Sequence, residues 1–179
     1  MKLMLSFRSI LGALTLLLAT CGLSSIQAAE GNPSVYAQLS SSKTQVSKEP
    51  QLVAMGNEDG ISGIDHPSPE KVVIKQSGNY FLMVAGQIGA DKSAKEAGGY
   101  VDMWLVQNGK VVENSGVRQF VEQKDSTSVL IFQGVTALKA GDTISIGYAA
   151  SKPSLGLIFT PAPAKESAIA SIVFSLFKL

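Results

Sequence analysis

The chain has 179 residues, of which 45% are hydrophobic and 16% are charged, and its formal net charge is +1 at pH 7. A near-neutral chain without a basic stripe or a block of like charge is a poor partner for nucleic acid or anionic lipid, so the composition argues against both. The single cysteine, Cys21, leaves no pair from which an internal disulfide can form.

The first 28 residues have the three-part layout of a secretory signal peptide. Lys2 and Arg8 provide the basic start, residues 10–18 an apolar stretch, and small residues precede a cleavage site after Ala28. This layout predicts an exported protein, secreted or periplasmic. No later segment supplies the roughly 20 uninterrupted apolar residues of a membrane-spanning helix, so no transmembrane segment is predicted.

A lipid anchor at Cys21 is the alternative fate of the leader. The sequence Leu18-Ala19-Thr20-Cys21 resembles a bacterial lipoprotein cleavage site, although Thr20 departs from the Gly, Ala or Ser expected before the cysteine. If cleavage falls after Ala28 instead, the mature protein has no thiol, which removes cysteine nucleophiles and thiolate metal sites together.

Residues 29–33 are predicted to be a flexible tail and residues 34–179 to form one domain, because a chain of this length buries one core but not two. No segment of this domain keeps a helical apolar period over more than about three turns, so an all-β fold is predicted. Residues 56–60 are predicted as a turn and residues 61–70 as irregular chain or an edge. The predicted strands are residues 35–39, 52–55, 72–74, 80–88, 101–107, 110–112, 117–121, 126–134, 143–148 and 172–177, with an edge strand in 155–160.

The densest acidic patch contains Asn57, Glu58, Asp59 and Asp65. Calcium prefers six to eight oxygen ligands from carboxylates and carbonyls, so Asn57, Asp59 and Asp65 are candidate calcium ligands. Their spacing fits no EF-hand, and turn chemistry explains the same residue types without a metal. Calcium is the only cofactor that the sequence suggests.

His66 is the only histidine, on a predicted loop. A catalytic base needs a nucleophile in reach and an orienting partner, and the adjacent Asp65 is poorly placed to orient the ring. The sequence therefore favours a surface histidine over a catalytic one. A serine hydrolase, if present, must use His66.

Three predicted strands are apolar on both faces: residues 80–88, 129–132 and 172–177. In an antiparallel sandwich one side of a strand meets the core and the other meets water, so these strands need a second cover. We interpret the cover as further copies of the chain, and the sequence leaves open which side of each strand meets them. The predicted interface residues are Tyr80, Leu82, Val84, Val129, Ile131, Phe174 and Leu176.

The segment 101–112 contains a hairpin signal and a candidate ligand contact. Asn108-Gly109 separates two β-patterned runs, and both central residues of a type I′ turn need positive φ. Trp104 shares a strand face with Asp102, and a tryptophan beside an acid can stack on a sugar. The alternative is that Trp104 only fills a core or an interface.

An apolar cluster lies between prolines in residues 153–163. Leu157 and Phe159 belong to it and are candidate ligand contacts. The cluster either packs over the sandwich or forms a contact surface, and the sequence does not rank these alternatives.

Three short motifs at residues 78–81, 105–109 and 138–142 occur in an order that resembles that of the complement C1q and tumour necrosis factor-like superfamily. Gly78-Asn79-Tyr80-Phe81 resembles its Gly-x-Tyr-aromatic strand entry, and Leu105-Val106-Gln107-Asn108-Gly109 resembles its Asn-Gly hairpin. Leu138-Lys139-Ala140-Gly141-Asp142 resembles its Leu-x-x-Gly-Asp turn, and an apolar strand closes the chain. The resemblance implies a two-sheet antiparallel jelly-roll sandwich of about ten strands over residues 34–179.

The resemblance also implies a compact homotrimer, because members of the superfamily usually assemble in threes, and some bind calcium near the trimer apex. Two departures matter. The closing strand, residues 171–176, lacks the glycine expected in the family's last motif, and no Gly-X-Y run precedes the domain. A short exported relative of the bacterial type, without a collagen stalk, fits better than a complement-like trigger.

The sequence thus favours a non-enzymatic recognition or adhesion module that trimerises and presents loops to a protein or glycan ligand. A monomeric carbohydrate-binding module is the first alternative. A hydrolase that uses His66 is the second, and it is disfavoured because no nucleophile motif is present.

Overall fold

A computed structural model describes residues 34–95 and 98–179. The predicted signal peptide 1–28, with its cleavage site at Ala28 and the alternative lipidation site Cys21, lies outside the described residues, as does the predicted tail 29–33. No helix with the length and hydropathy of a membrane span occurs in residues 34–95 and 98–179.

The described chain is built from fourteen strands. Ten of them form the two layers of a sandwich and four are short additions of two or three residues. In chain order they are β1 Tyr36–Ser41, β2 Gln45–Val46, β3 Gln51–Leu52, β4 Asn57–Ser62, β5 Ile64–Ser68, β6 Lys71–Ile74, β7 Gly78–Ala90, β8 Gly99–Gln107, β9 Lys110–Val111, β10 Val117–Val121, β11 Thr127–Leu138, β12 Thr143–Ala150, β13 Leu155–Leu157 and β14 Ile172–Lys178.

All strand pairs are antiparallel. In the first sheet β4, β1, β14, β7 and β11 lie side by side, and the short strands β13 and β2 extend it beside the end of β7. In the second sheet β5, β6, β12, β8 and β10 lie side by side, with β3 on β12 and β9 on β8. Long connections carry the chain between the sheets, as in a jelly roll. The predicted all-β, two-sheet antiparallel sandwich is confirmed.

The core lies between the two sheets and corrects part of the predicted interface. Five of the predicted interface residues, Tyr80, Leu82, Val84, Phe174 and Leu176, point into it and are at most 3% exposed within a single chain. They pack there with second-sheet residues such as Met103 and Ile146. Side chains alternate along a strand with period two, so a strand apolar on both faces does not reveal which face is inside. These five residues are therefore core residues.

The Asn-Gly turn is confirmed. Asn108 has φ 52° and Gly109 has φ 75°, and they join β8 to β9 with Gln107 paired to Lys110. Both positions use left-handed backbone, which Gly adopts freely and Asn tolerates better than most residues.

Residues 57–68 differ from the prediction in part. The predicted turn at 56–60 is part of the strand β4 instead, whereas the edge predicted within 61–70 is confirmed, because β5 is the edge strand of the second sheet. Gly63 at φ 66° carries the chain from the first sheet to the second. A Cβ at Gly63 would lie 3.0 Å from Cγ2 of Val35, so the switch needs both left-handed backbone and space. The predicted strand 52–55 is shorter than expected, because only Gln51–Leu52 pairs while Val53 and Met55 enter the core.

The turn between β11 and β12 is organised by one carboxylate. Asp142 Oδ2 accepts hydrogen bonds from the backbone N of Lys139 at 2.8 Å and from Gln107 Nε2 at 3.1 Å. Asp142 Oδ1 accepts from Asn108 Nδ2 at 2.8 Å, which ties this turn to the Asn-Gly turn. The hydrogen bond from Lys139, followed by that from Asn108, lowers the pKa of Asp142 below its ordinary value.

We expect Asp142→Asn to weaken the acid dependence of folding. Because the folded-state pKa of Asp142 is depressed, its contribution is complete above the unfolded pKa of about 4 and is lost as pH falls through the lower folded value. Urea unfolding between about pH 5 and pH 2 should therefore show a steeper loss of stability in the wild type than in Asp142→Asn. Asp125→Asn, at an exposed turn before β11, removes the same charge as a control. Equal slopes for the two variants would contradict this role.

Candidate binding surfaces

On the outer side of the first sheet, the strands β1, β14, β7 and β11 present no charged side chain. Strand register groups its residues, because directly paired residues share a face: Val135 lies opposite Phe81, Phe81 opposite Phe177, and Phe177 opposite Tyr36. We call this surface the uncharged face. Its members are Tyr36, Gln38 and Ser40 of β1, Val173, Ser175 and Phe177 of β14, Phe81, Met83, Ala85 and Gln87 of β7, and Val129, Ile131, Gln133 and Val135 of β11.

Large apolar side chains of the uncharged face are open to solvent. Val129, Ile131 and Val135 are 59%, 56% and 62% exposed, and Phe177 is 40% exposed. Phe177 stacks on Phe81 with ring centroids 6.4 Å apart. Val129 and Ile131 were predicted interface residues, and the structure places both on this exposed side. A contiguous exposed apolar patch of this kind is characteristic of an interaction surface.

The segment after β13 covers one end of the uncharged face. Gln87 Nε2 donates to the carbonyl of Ile158 at 2.8 Å and to Thr160 Oγ1 at 2.9 Å, which holds the segment across the end of β7. Leu157 is fully buried beneath it, so the prediction of Leu157 as a ligand contact is wrong. Phe159 is half-buried, and its ligand contact stays a prediction.

The outer side of the second sheet carries an aromatic cluster around an ion pair. Arg118 of β10 lies opposite Asp102 of β8, and its Nε and Nη2 donate to Oδ1 and Oδ2 of Asp102, each at 2.7 Å. The guanidinium carbon lies 3.6 Å from the centre of the Tyr100 ring. Phe120 meets Tyr100 edge-on with centroids 6.2 Å apart. Paired and stacked in this way, the guanidinium is held in one orientation.

Trp104 lies next to this cluster, half-buried, with its ring against β12. It is paired with Gly147, and a side chain there would collide with Nε1 and Cε2 of the indole and approach Cζ2 to 2.9 Å. The absence of a Cβ at Gly147 therefore lets the indole lie directly on the sheet. A cleft of about 440 Å³ opens beside the ring, and its lining includes Asp102, Asn114 and Arg118. We call Trp104, Asp102, Arg118 and Tyr100 the tryptophan surface.

His66 is buried, so its prediction as a surface histidine is wrong. The side chain is 5% exposed, and Nδ1 lies 3.0 Å from Oε1 of Glu58 on β4. Its Nε2 is buried without a hydrogen-bond partner in the described part of the chain. No serine or threonine hydroxyl there is hydrogen-bonded to that nitrogen, so the described residues contain no assembled nucleophile–histidine pair.

The candidate calcium ligands do not converge. The amide nitrogen of Asn57 donates to Ser40 Oγ at 3.3 Å and to Ser42 Oγ at 2.9 Å, and Asp65 Oδ1 accepts from Lys75 Nζ at 3.0 Å. Asp59 instead lines a cleft beside Tyr36. Across residues 34–95 and 98–179, no group of three or more His, Cys, Asp or Glu side chains could hold a metal ion. The geometry gives the calcium prediction no support.

Only some residues of these two surfaces could be predicted from the sequence. The shared strand face of Asp102 and Trp104 was readable from alternation, but Arg118 was not, since its place depends on the register between β8 and β10. Phe81, Val135 and Phe177 were missed as surface residues because the opposite phase of each strand is equally apolar.

Comparisons with known proteins identify the fold. No family model matches the chain, and no curated protein matches it. Among solved structures, the crystal structure of murine APRIL at pH 5.0 is similar with a TM-score of 0.55 and 14% sequence identity, covering 82% of this chain and 99% of that one. The crystal structure of murine APRIL at pH 8.5 gives a TM-score of 0.52 with the same identity and coverage. The chain therefore shares the fold of these structures, a two-sheet antiparallel jelly roll.

Proposed function

We propose that this chain is an exported, non-enzymatic recognition module that assembles as a homotrimer through the uncharged face. The observation that carries the proposal is the exposure of Val129, Ile131 and Val135 among the uncharged side chains of β1, β14, β7 and β11. A monomer that left this side in water would expose a patch prone to non-specific association. Contact with further copies of the chain would shield this patch from water.

Threefold closure suits this surface. In a closed ring the same patch is buried on every subunit and no unpaired interface remains exposed. An open head-to-tail contact would instead build filaments. In the superfamily that the sequence resembles, the sheet with the doubly apolar strands faces the trimer axis. The uncharged face belongs to that kind of sheet, since it includes the outer sides of β7, β11 and β14.

Recognition rather than catalysis is supported by the state of the single histidine. Nδ1 of His66 contacts the carboxylate of Glu58, and its Nε2 is buried. Within the described residues, neither ring nitrogen is hydrogen-bonded to a hydroxyl group. The ligand would then be a protein or a glycan, met outside the cell membrane or in the periplasm, in line with the predicted signal peptide.

Native mass measurement of the exported protein tests the proposal. We expect a species of three times the subunit mass, with each subunit lacking the predicted leader. An acyl chain on the subunit would indicate that cleavage occurs before Cys21 and that the module is lipid-anchored. A stable single subunit at micromolar concentration would overturn the trimer, and would favour the monomeric carbohydrate-binding module for which the tryptophan surface is the supporting observation.

A further inference from the structure

We propose that the tryptophan surface is a carbohydrate subsite, in which Trp104 stacks on the apolar face of a neutral sugar ring while Asp102 and Arg118 bind its hydroxyls. The inference deepens the proposed function, on which it rests, by naming the ligand class of the recognition module. It places the ligand on the second sheet, on the side of the sandwich opposite the uncharged face.

The indole of Trp104 has the placement of a stacking platform. One side of the ring is set against Gly147, where no side chain intervenes, and the ring borders the open cleft of about 440 Å³. Within the described chain, the indole N–H makes no hydrogen bond and is not among the buried polar atoms. Aromatic faces are electron-rich, so they attract the C–H groups that a sugar ring presents on its apolar side. The free N–H adds a donor at the ring edge.

The polar groups beside Trp104 are fixed before any ligand arrives. Asp102 engages Nε and Nη2 of Arg118 and leaves Nη1 outside the bidentate pair. Each oxygen of Asp102 accepts one hydrogen bond from Arg118 and keeps further acceptor capacity. Because Arg118 also packs on Tyr100, little side-chain freedom remains to be lost on binding. A carboxylate and a guanidinium held side by side offer acceptors and donors to adjacent hydroxyls.

The wall of the cleft opposite Trp104 is also held in place. Ser115 Oγ accepts from the backbone N of Leu105 at 3.0 Å and donates to the carbonyl of Val112 at 2.7 Å, which fastens the loop between β9 and β10 to β8. Asn114 and Glu113 of this loop line the cleft and add an amide and a carboxylate. The volume lies within the range of about 300–1,000 Å³ typical of small-molecule sites.

Charge at the cleft selects a neutral sugar. Asp102 neutralises Arg118, and Glu113 adds a negative charge to the lining, so an anionic sugar or a phosphate would meet repulsion without an unpaired cation to offset it. A single shallow subsite of this kind binds weakly. Three copies on one trimer would raise the avidity for a surface that carries many sugar chains.

Trp104 is the only tryptophan in the chain, so its fluorescence reports on this surface alone. We would titrate the trimer with the methyl glycosides of glucose, galactose, mannose and N-acetylglucosamine up to about 50 mM, because single-subsite dissociation constants near 1 mM are expected. The expected result is a saturable change in emission with at least one of the four. Calorimetry with that glycoside then compares variants. We expect Trp104→Ala to weaken binding about tenfold or more, and Arg118→Lys to weaken it because the fork is lost.

Ile169→Ala is the control, since it removes an exposed apolar side chain that lies outside the lining of the cleft and should leave sugar affinity unchanged. Circular dichroism and native mass on every variant establish that fold and assembly persist. A trimer whose emission responds to none of the four glycosides, or binding that Trp104→Ala leaves intact, overturns the carbohydrate subsite alone. Capture of a deglycosylated protein ligand through Trp104 overturns it as well. A monomer that binds the glycoside overturns the trimer and leaves the subsite standing.

Discussion

Phe174→Asp should unfold the chain rather than only separate its subunits. Phe174 is fully buried and lies between Leu39 of β1 and Val84 of β7 in the centre of the first sheet. An unpaired charge at such a site costs several kcal/mol, comparable to the total stability of about 5–15 kcal/mol of a typical domain. The milder Phe174→Ala should cost about 3–5 kcal/mol through the cavity that it leaves. Urea unfolding followed by circular dichroism measures both.

Phe177→Ala on the same strand provides the control. Its side chain projects from the opposite side of β14 and is 40% exposed, so its removal should change the stability of the isolated subunit by less than about 1 kcal/mol. A folded Phe174→Asp protein, or a loss of less than about 1 kcal/mol for Phe174→Ala, would contradict the assignment of Phe174 to the core.

The strands were predictable where the local chemistry allowed one solution. Asn108 and Gly109 occupy the only backbone region that a two-residue type I′ turn permits, so the hairpin of β8 and β9 followed from two residue types. The exposed and buried sides of β8 were readable in the same way, because Val101, Met103 and Leu105 are apolar while Asp102 is not. Where apolar and polar residues alternate along a strand, the pattern itself shows which side of the strand is buried, whatever strands lie beside it.

The phase of β7 and β14 was not predictable from local chemistry. Tyr80 and Phe81 are adjacent aromatic residues that point to opposite sides of one strand, and either side chain is acceptable in a core. Which side of β7 faces the core is determined by its neighbours. The register with β11 places Val135 opposite Phe81 and Thr136 opposite Tyr80. The second sheet then packs against only one of these two sides, the side of Tyr80. Pairing between residues distant in sequence settles what alternation leaves open.

Long-range pairing also explains His66 and the tryptophan surface. His66 was predicted as a loop residue because Pro67 follows it, yet it lies on β5, and the switch of sheets at Gly63 brings it beside Glu58 of β4. Arg118 and Asp102 are 16 residues apart and meet only through the register of β10 on β8. Residue types that make a site were visible in the sequence, whereas their convergence required the fold.

Val135→Asp should dissociate the trimer and leave the subunit folded. Val135 is 62% exposed in the single chain, so a carboxylate there meets water when the subunit is alone and costs that subunit little. In the proposed trimer the same position is covered by neighbouring copies, and a buried unpaired charge costs several kcal/mol at each of the three sites. We expect the apparent dissociation constant to rise by about a hundredfold or more, measured by analytical ultracentrifugation over a concentration series.

Val111→Asp is the matched control, because Val111 is also 62% exposed but lies on β9 of the second sheet, away from the uncharged face. Both variants add one negative charge at equal exposure, so any difference between them reports on the surface rather than on net charge. Val111→Asp should remain trimeric, and both should retain the circular dichroism of the wild type. If Val135→Asp stays trimeric at concentrations where the wild type does, the uncharged face is not the assembly surface. If Val111→Asp dissociates instead, the subunits associate through the second sheet, and the tryptophan surface would then lie at or near the interface instead of facing a ligand.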